Sequence, residues 1–392
     1  MNTSPPIVFI DDAHTFGGAQ IAMGWGIRSI ICNTSERVVC VCTEKTRRAV
    51  EEIVGLTPRL EFIECPPALP LNIFSFPLRI PAFFRILRPL LRLGVRGWWL
   101  NLSGIEFCLA PLTTLLWFGE KPHGWLHNTE RFAVLIKNAS WRRALLSRLR
   151  DWSADRWAFS LYPSIITPSQ STIPDVEARL RGKRRPFIGH LYSPPIGEQT
   201  RVVRDIERDA SISGHRVIDL WMIGRIDYGH KNNLIALDVL GRLEENSVNA
   251  TLTIVGDGPD FADMKIKAQA LSFGRKVIFL GWSNTPWDTI SQSATVLIPS
   301  FYESMCIVAR EAMVRGIRIV ASPIPVFHEW IPDSLIANDF AVDTFVEKIV
   351  EVQGLPTRQL LELYDAALLR FSDKTFIESF KKYSSQGGSD GN

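Results

Sequence analysis

The stretch Pro299–Ser322, PSFYESMCIVAREAMVRGIRIVAS, decides how the chain is read. It continues an apolar run, Ala294 to Pro299 (ATVLIP), that is bounded by a breaker and predicts a buried strand. Ser300 to Ser304 form a short loop. From about Met305 the apolar residues Ile307, Val308, Ala312 and Val314 recur at helical spacing, Gly316 ends the helix, and Ile317 to Ala321 reads as the next buried strand. Strand, loop, helix and strand in succession indicate a parallel α/β sheet. Glu303 falls in the loop and Glu311 about two turns into the helix, so the two carboxylates suit two parts of one extended ligand. Between them the first-turn N–H groups, around Ser304, Met305, Cys306 and Ile307, can take an anion. Open α/β sheets place ligands at such loops, at the carboxyl ends of their strands.

Working back to the start, Ile7 to Ile10 reads as a strand and Asp11 to Gln20, DDAHTFGGAQ, as the loop after it. Gly17 and Gly18 allow close approach of a ligand or a positive φ, and a helical pattern runs from Ala19 to Ile31. Strands are expected at Arg37–Thr43, Leu60–Cys65, Trp98–Leu102, Pro122–Leu126 and Ser164 onward, with a helix over Lys45–Val54. Polar residues interrupt the apolar stretch Trp98–Phe118, which is read as strand, turn and helix, and no transmembrane helix is expected. The strand at Pro122 delivers His127 at its end. Phe187–Gly197, with Pro194-Pro195, reads as a strand and linker.

Val217 to Ile223 opens the second domain, and GRIDYGHKNN follows. Arg225 and Lys231 project from that loop, a guanidinium fork and an ammonium that can both hold phosphate oxygens. Thr251–Val255 leads to GDGPD, whose Gly256 and Gly258 suit close approach to a nucleotide, and Lys276–Leu280 ends at Gly281-Trp282. The expected division is 1–192, 193–370, and a terminal helix and disordered tail over 371–392.

The 392 residues carry a formal charge of +3, distributed unevenly: residues 1–192 hold 24 Lys and Arg against 15 Asp and Glu, the remainder 20 against 26. A basic first half suits an anionic membrane surface or acceptor, and no nucleic-acid motif accompanies it. Asn72 to Gly97 contains no acid, and Arg85, Arg88, Arg92 and Arg96 alternate with Phe and Leu, a surface of the kind that lies on anionic lipid. Six cysteines without metal-ligand spacing, and no signal peptide, are read as reduced thiols of a cytosolic protein.

In chain order, GGAQ at 17–20, HNTE at 127–130, Gly224-Arg225 with Lys231, GDG at 256–258, Gly281 and E-x7-E at 303–311 resemble the retaining nucleotide-sugar glycosyltransferases of family four, glycosyl transferases group 1. The resemblance implies α/β architecture of GT-B type, two Rossmann-like domains with parallel sheets facing across a cleft. It implies a UDP or GDP sugar as donor substrate, no further cofactor and no metal ion. In this picture Arg225, Lys231 and the backbone of 304–307 stabilise the diphosphate, Glu311 takes the ribose hydroxyls, and Glu303 holds the donor sugar. Gly17, Gly18, Gly224, Gly256 and Gly258 line the ligand, and His127 donates to a sugar hydroxyl or supports developing charge. Attack is from the front face, with the leaving phosphate helping to take the acceptor's proton. The acceptor is a glycan or a lipid-linked glycan of bacterial exopolysaccharide or lipopolysaccharide assembly, at the inner face of the cytoplasmic membrane. Gln20 stands where an acid is common, and Asn232, Ser304 and Cys306 where glycines are. An epimerase or phosphorylase of the same architecture and a non-catalytic nucleotide-sugar-binding scaffold are the rival readings.

Overall fold

A computed structural model describes residues 4–11, 17–65, 85–86, 88–92, 94–102, 122–128, 145, 148, 162–180, 186–194, 217–283 and 285–385. Contacts divide the chain into two units, 1–195 with 370–392, and 196–369.

The first unit is built on strands β1 (Ile7–Asp11), β2 (Val38–Cys42), β3 (Leu60–Glu64), β4 (Gly97–Leu102), β5 (His123–Leu126), β6 (Ser164–Thr167) and β7 (Phe187–His190). All pair in parallel, in the order β3-β2-β1-β4-β5-β6-β7. Helices α1 (Gly18–Asn33), α2 (Glu44–Val54) and α3 (Ile173–Arg179) connect them. Because side chains alternate along a strand, Val8 and Ile10 join one core layer and Ile7 and Phe9 the other. The central strands are apolar on both faces, as a sheet covered on both sides requires.

In the second unit β8 (Ile218–Ile223), β9 (Ala250–Val255), β10 (Val277–Gly281), β11 (Thr295–Ile298) and β12 (Arg318–Ala321) pair in parallel, ordered β10-β9-β8-β11-β12. Its helices are α4 (Tyr228–Lys231), α5 (Ile235–Glu245), α6 (Phe261–Gln269), α7 (Ile307–Val314), α8 (Pro325–Trp330), α9 (Val342–Gly354) and α10 (Thr357–Leu368). The terminal helix α11 (Asp373–Ser385) belongs to the first unit. Its Phe380 stacks on Trp99 at 4.6 Å, and Phe376 lies 6.1 Å from Trp125. Gly26 of α1 makes room for this: a Cβ there would sit 3.0 Å from Trp125 and 3.2 Å from Phe376.

Each sheet reverses its order of winding once, between β1 and β4 and between β8 and β11. Those reversals leave a crevice beyond the carboxyl ends of the two strands, the place where doubly wound sheets bind ligands. The chain leaving β1 carries GGAQ at the start of α1, not wholly in a loop as the sequence suggests; that leaving β8 carries Lys231 at the end of α4, and that leaving β11 carries Glu303 in the loop before α7.

Two further expectations shift. Lys231 closes a one-turn helix, α4, instead of projecting from an open loop. The helix expected from about Met305 begins at Ile307, because Cys306 takes a left-handed conformation (φ 61°, ψ 85°) that no helical turn includes. Most of the Arg-rich segment, the expected helix over 105–118, the residues 129–130 of HNTE and the tail lie outside the described residues. Of the Arg-rich segment, Arg88–Arg92 is a 3-10 turn with Leu90 fully buried, and Arg96 pairs with Glu36. Among the described residues no helix is long and apolar enough to cross a membrane, and Cys32, Cys40, Cys42, Cys65 and Cys306 are free thiols.

Candidate active site

At the first switch point the centre is Asp11, the last residue of β1, which is fully buried. Its Oδ1 accepts hydrogen bonds from Gln20 Nε2 and Asn101 Nδ2, each at 3.1 Å, and its Oδ2 accepts from Thr46 Oγ1 at 3.0 Å. Gln20 Oε1 in turn accepts from the Gly17 N–H at 2.9 Å. Asn101 Oδ1 lies 2.7 Å from His127 Nε2. One chain of polar groups therefore runs from the glycine loop through Asp11 to His127. The imidazole rests against Trp125, ring centroids 4.9 Å apart, and burial pulls its pKa down to about 3, so the ring is neutral at physiological pH.

Gly17 is extended (φ −170°), so the glycine serves no left-handed turn. What it leaves is space: a Cβ there would meet nothing within 4 Å. Gly18 is the first residue of α1.

At the second switch point Asp227 organises the loop after β8. Its Oδ1 accepts from the Gly229 N–H at 3.1 Å and caps α4, while Oδ2 lies 3.4 Å from Arg225 and 3.3 Å from His230. Asn232 closes that turn in the left-handed region (φ 50°), which asparagine tolerates and which explains glycine's place in the family pattern. Lys231 Nζ meets Glu303 Oε1 at 2.5 Å, and Ser300 Oγ donates to the same oxygen at 2.8 Å. The loop after β11 is tied down by the Phe301 N–H, which donates to the His230 carbonyl at 2.8 Å. Burial alone would lower the Lys231 pKa; the Glu303 carboxylate outweighs it and holds the ammonium above the ordinary lysine value. Burial, and then Glu303, push the Cys306 thiol well up, so it stays protonated. Arg225 sits farther out, its side chain 66% exposed.

Gly224 (φ +133°) and Gly256 (φ +142°) are glycines of necessity. A Cβ at Gly256 would lie 1.8 Å from the Gly224 carbonyl oxygen, and one at Gly258 2.1 Å from that of Ile226. The close approach they permit is between the loops after β8 and β9, which also share the Ile226 N–H to Asp257 carbonyl bond at 3.0 Å.

Met305 and Cys306 are buried ahead of α7, and Ile307 opens it. Glu311 lies on α7, its pKa raised by burial, and Oε2 accepts from the Trp287 indole N–H at 3.1 Å. The Arg315 guanidinium covers the Trp287 ring at 4.9 Å. Lys231, Glu303 and Ser300 thus form one cluster, and Glu311 with Trp287 and Arg315 another. Asp11, Asn101, Thr46, Ser300 and Trp287 were given no role in the site from the sequence. Asp11 carried a signal, a carboxylate ending an apolar strand; the others carried none.

Two Rossmann-like parallel sheets, each with a polar cluster at its switch point, give the chain the GT-B fold. Residues 203–353 match the family model described as "Glycosyl transferases group 1". Lipopolysaccharide 1,6-galactosyltransferase of Salmonella typhimurium is 24% identical over 209 residues, 51% of this chain and 55% of the relative. UDP-Gal:alpha-D-GlcNAc-diphosphoundecaprenol alpha-1,3-galactosyltransferase of Escherichia coli is 27% identical over 139 residues, 33% of this chain and 35% of the relative. The chain thus spans about half or less of these relatives' lengths. Over its whole fold it resembles the apo form of the outer core galactosyltransferase WaaB (TM-score 0.64, 19% identity, 96% of this chain and 98% of that one). It also resembles Anabaena HepE in complex with UDP and glucose (TM-score 0.68, 14% identity, 97% and 100%).

Proposed function

We propose that the protein transfers a hexose from a UDP-sugar to a hydroxyl of a glycan or lipid-linked acceptor, with retention at the anomeric carbon and without a metal ion. The observation that carries the proposal is the Lys231–Glu303 pair beside the first turn of α7, at the β8/β11 switch point. An ammonium, a carboxylate and the first-turn N–H groups of a helix in one crevice match a diphosphate joined to a polyhydroxylated ring. On donor binding Lys231 exchanges Glu303 for a phosphate oxygen, and Glu303 turns to the sugar hydroxyls. Arg225, on the exposed side of the loop, adds a second cation. Glu311 exchanges the Trp287 indole for the ribose hydroxyls. The bond from the anomeric carbon to the diphosphate oxygen breaks as the bond to the acceptor oxygen forms on the same face, and the acceptor's proton passes to the departing phosphate.

UDP is favoured over GDP because HepE is similar in fold and was solved with UDP and UDP-glucose, and because the E. coli relative is named for UDP-Gal. Lipopolysaccharide or exopolysaccharide assembly is the setting, by the names of the relatives. The reading puts the enzyme on the cytoplasmic side of the membrane, with exposed Arg85 and Arg88 toward anionic lipid. The test is transfer of label from UDP-galactose and UDP-glucose to lipopolysaccharide-core and undecaprenyl-diphosphate-linked acceptors. Wild type transfers label with retained configuration, and Lys231→Ala lowers kcat by about 100-fold or more. Binding without transfer to any acceptor would make the protein a scaffold, and near-normal Lys231→Ala turnover would remove the ammonium from the mechanism.

A further inference from the structure

A primary amide is directional: the end that donates to a carboxylate is its nitrogen, so the other end is an oxygen that only accepts. Asn101 gives its Nδ2 to Asp11, at 3.1 Å. Its Oδ1 therefore faces His127 Nε2 across 2.7 Å as an acceptor, and the ring nitrogen at that contact must carry the proton. Were Asn101 turned over, its oxygen would face the buried carboxylate, and its NH2 would have to find a lone pair on His127. Gln20 obeys the same logic on the other arm, donating to Asp11 at 3.1 Å and accepting from the Gly17 N–H at 2.9 Å. Both arms agree on the direction, so the arrangement is set by the carboxylate between them.

The ring has one other nitrogen, and burial keeps the imidazole neutral. With the proton on Nε2, Nδ1 is left with its lone pair. Among the described residues no hydrogen bond reaches it, and the face of the ring is held by Trp125 at 4.9 Å.

We propose that Asp11, acting through Asn101, is a positioning residue that locks His127 in the Nε2–H tautomer, so that the imidazole presents Nδ1 as the acceptor of a hydrogen bond from a sugar hydroxyl. This is the reverse of the donor role that the position of His127 suggests from sequence. The class of ligand rests on the glycosyl-transfer reading; the tautomer does not.

The experiment is 15N NMR of the full chain labelled at histidine, with His127→Gln to assign the ring signals. Wild type shows a pyrrole-type Nε2 and a pyridine-type Nδ1 at pH 7. In Asn101→Ala the two signals move toward averaged values, and Asp11→Asn, which keeps the shape and removes the charge, moves them the same way by less. A variant that only lost packing would melt earlier and leave the tautomer alone. A protonated Nδ1 in wild type, or a pattern unchanged in a folded variant, overturns the lock. For the ligand, UDP-galactose, UDP and methyl galactoside are titrated separately. An upfield shift of Nδ1 with UDP-galactose but not with UDP assigns the hydroxyl to the donor sugar, and one with methyl galactoside to an acceptor. No shift with any of them overturns the acceptor role. If the lock and the sugar-dependent shift hold while no label is transferred, glycosyl transfer is the reading that fails, and this one stands.

Discussion

Gln20 shows how much one side chain depends on a neighbour the sequence keeps far away. An acid is common at its position in the family pattern, and alone the amide reads as a departure. In the fold its NH2 donates to the buried Asp11 carboxylate, which an acid could not do while ionised. Gln20→Glu is therefore expected to cost about 1–3 kcal/mol at neutral pH, the range for a buried polar group left without its partner. The new carboxyl would have its folded pKa raised above the ordinary value of about 4.3, by burial and by Asp11. A raised carboxyl keeps its proton in the folded state, so stability is intact at low pH and falls as pH rises through that pKa. Urea titrations at pH 5 and pH 8 check this; an equal loss at both would put the cost in the lost hydrogen bonds and not in charge.

At the scale of elements, the entry to α7 is the feature that sequence spacing misplaces. Apolar periodicity carried the helix back to Met305, but a left-handed residue at 306 delays it to Ile307. Left-handed backbone costs a side chain with a Cβ about 1–2 kcal/mol, which is why a glycine frequents this position. Cys306→Gly should leave the urea midpoint equal or higher, whereas Cys306→Val, β-branched, should lower stability by about 1–2 kcal/mol. A glycine variant markedly less stable than wild type would show that thiol packing outweighs the strain. The Arg-rich segment makes the second prediction at this scale. Arg85 and Arg88 are exposed, while Leu90 within the 3-10 turn is buried in the core, so one short stretch is anchored on one side and cationic on the other. Arg85→Glu with Arg88→Glu should reduce co-sedimentation with phosphatidylglycerol vesicles at 0.1 M salt, by several-fold given about 1 kcal/mol per basic residue near an anionic surface. Unchanged binding would assign the arginines to solvent.

For the molecule as a whole, two buried histidines make the first unit's stability depend on pH in the acid range. Burial pulls His123 down to about 4 and His127 to about 3. His123 lies 2.6 Å from Ser164 Oγ and against Trp99, with ring centroids 5.0 Å apart. A depressed histidine pKa means that the unfolded chain takes up the proton first. The stability is present above about pH 6.5 and is lost as pH falls through the window down to about 4, a tenfold difference in proton affinity between folded and unfolded chain being worth about 1.4 kcal/mol. Calorimetry at pH 7.5, 6 and 5 should show the first unit's transition moving to lower temperature, and His123→Gln should flatten part of that slope. A transition temperature independent of pH over that range would rule out buried neutral rings as the cause.

Legibility follows range. The strands around Ile7, Val38, Val217 and Ala294, and the helices between them, were readable because apolar runs, 3.6-residue spacing and glycine or proline breakers are local properties of the chain. From those the parallel α/β class and the order of the motifs follow without any structure. Helix α5 was not read, and neither were α8, α9 and α10, since no motif drew attention beyond Ser322. What only the tertiary structure decided is which polar groups meet. Lys231 and Glu303 are 72 residues apart, Asn101 and Asp11 are 90 apart, and no local pattern couples them. They meet because the order of strands sets β8 beside β11 and β1 beside β4, and that order depends on which apolar faces bury together, a property of the folded sheet and not of any segment of it.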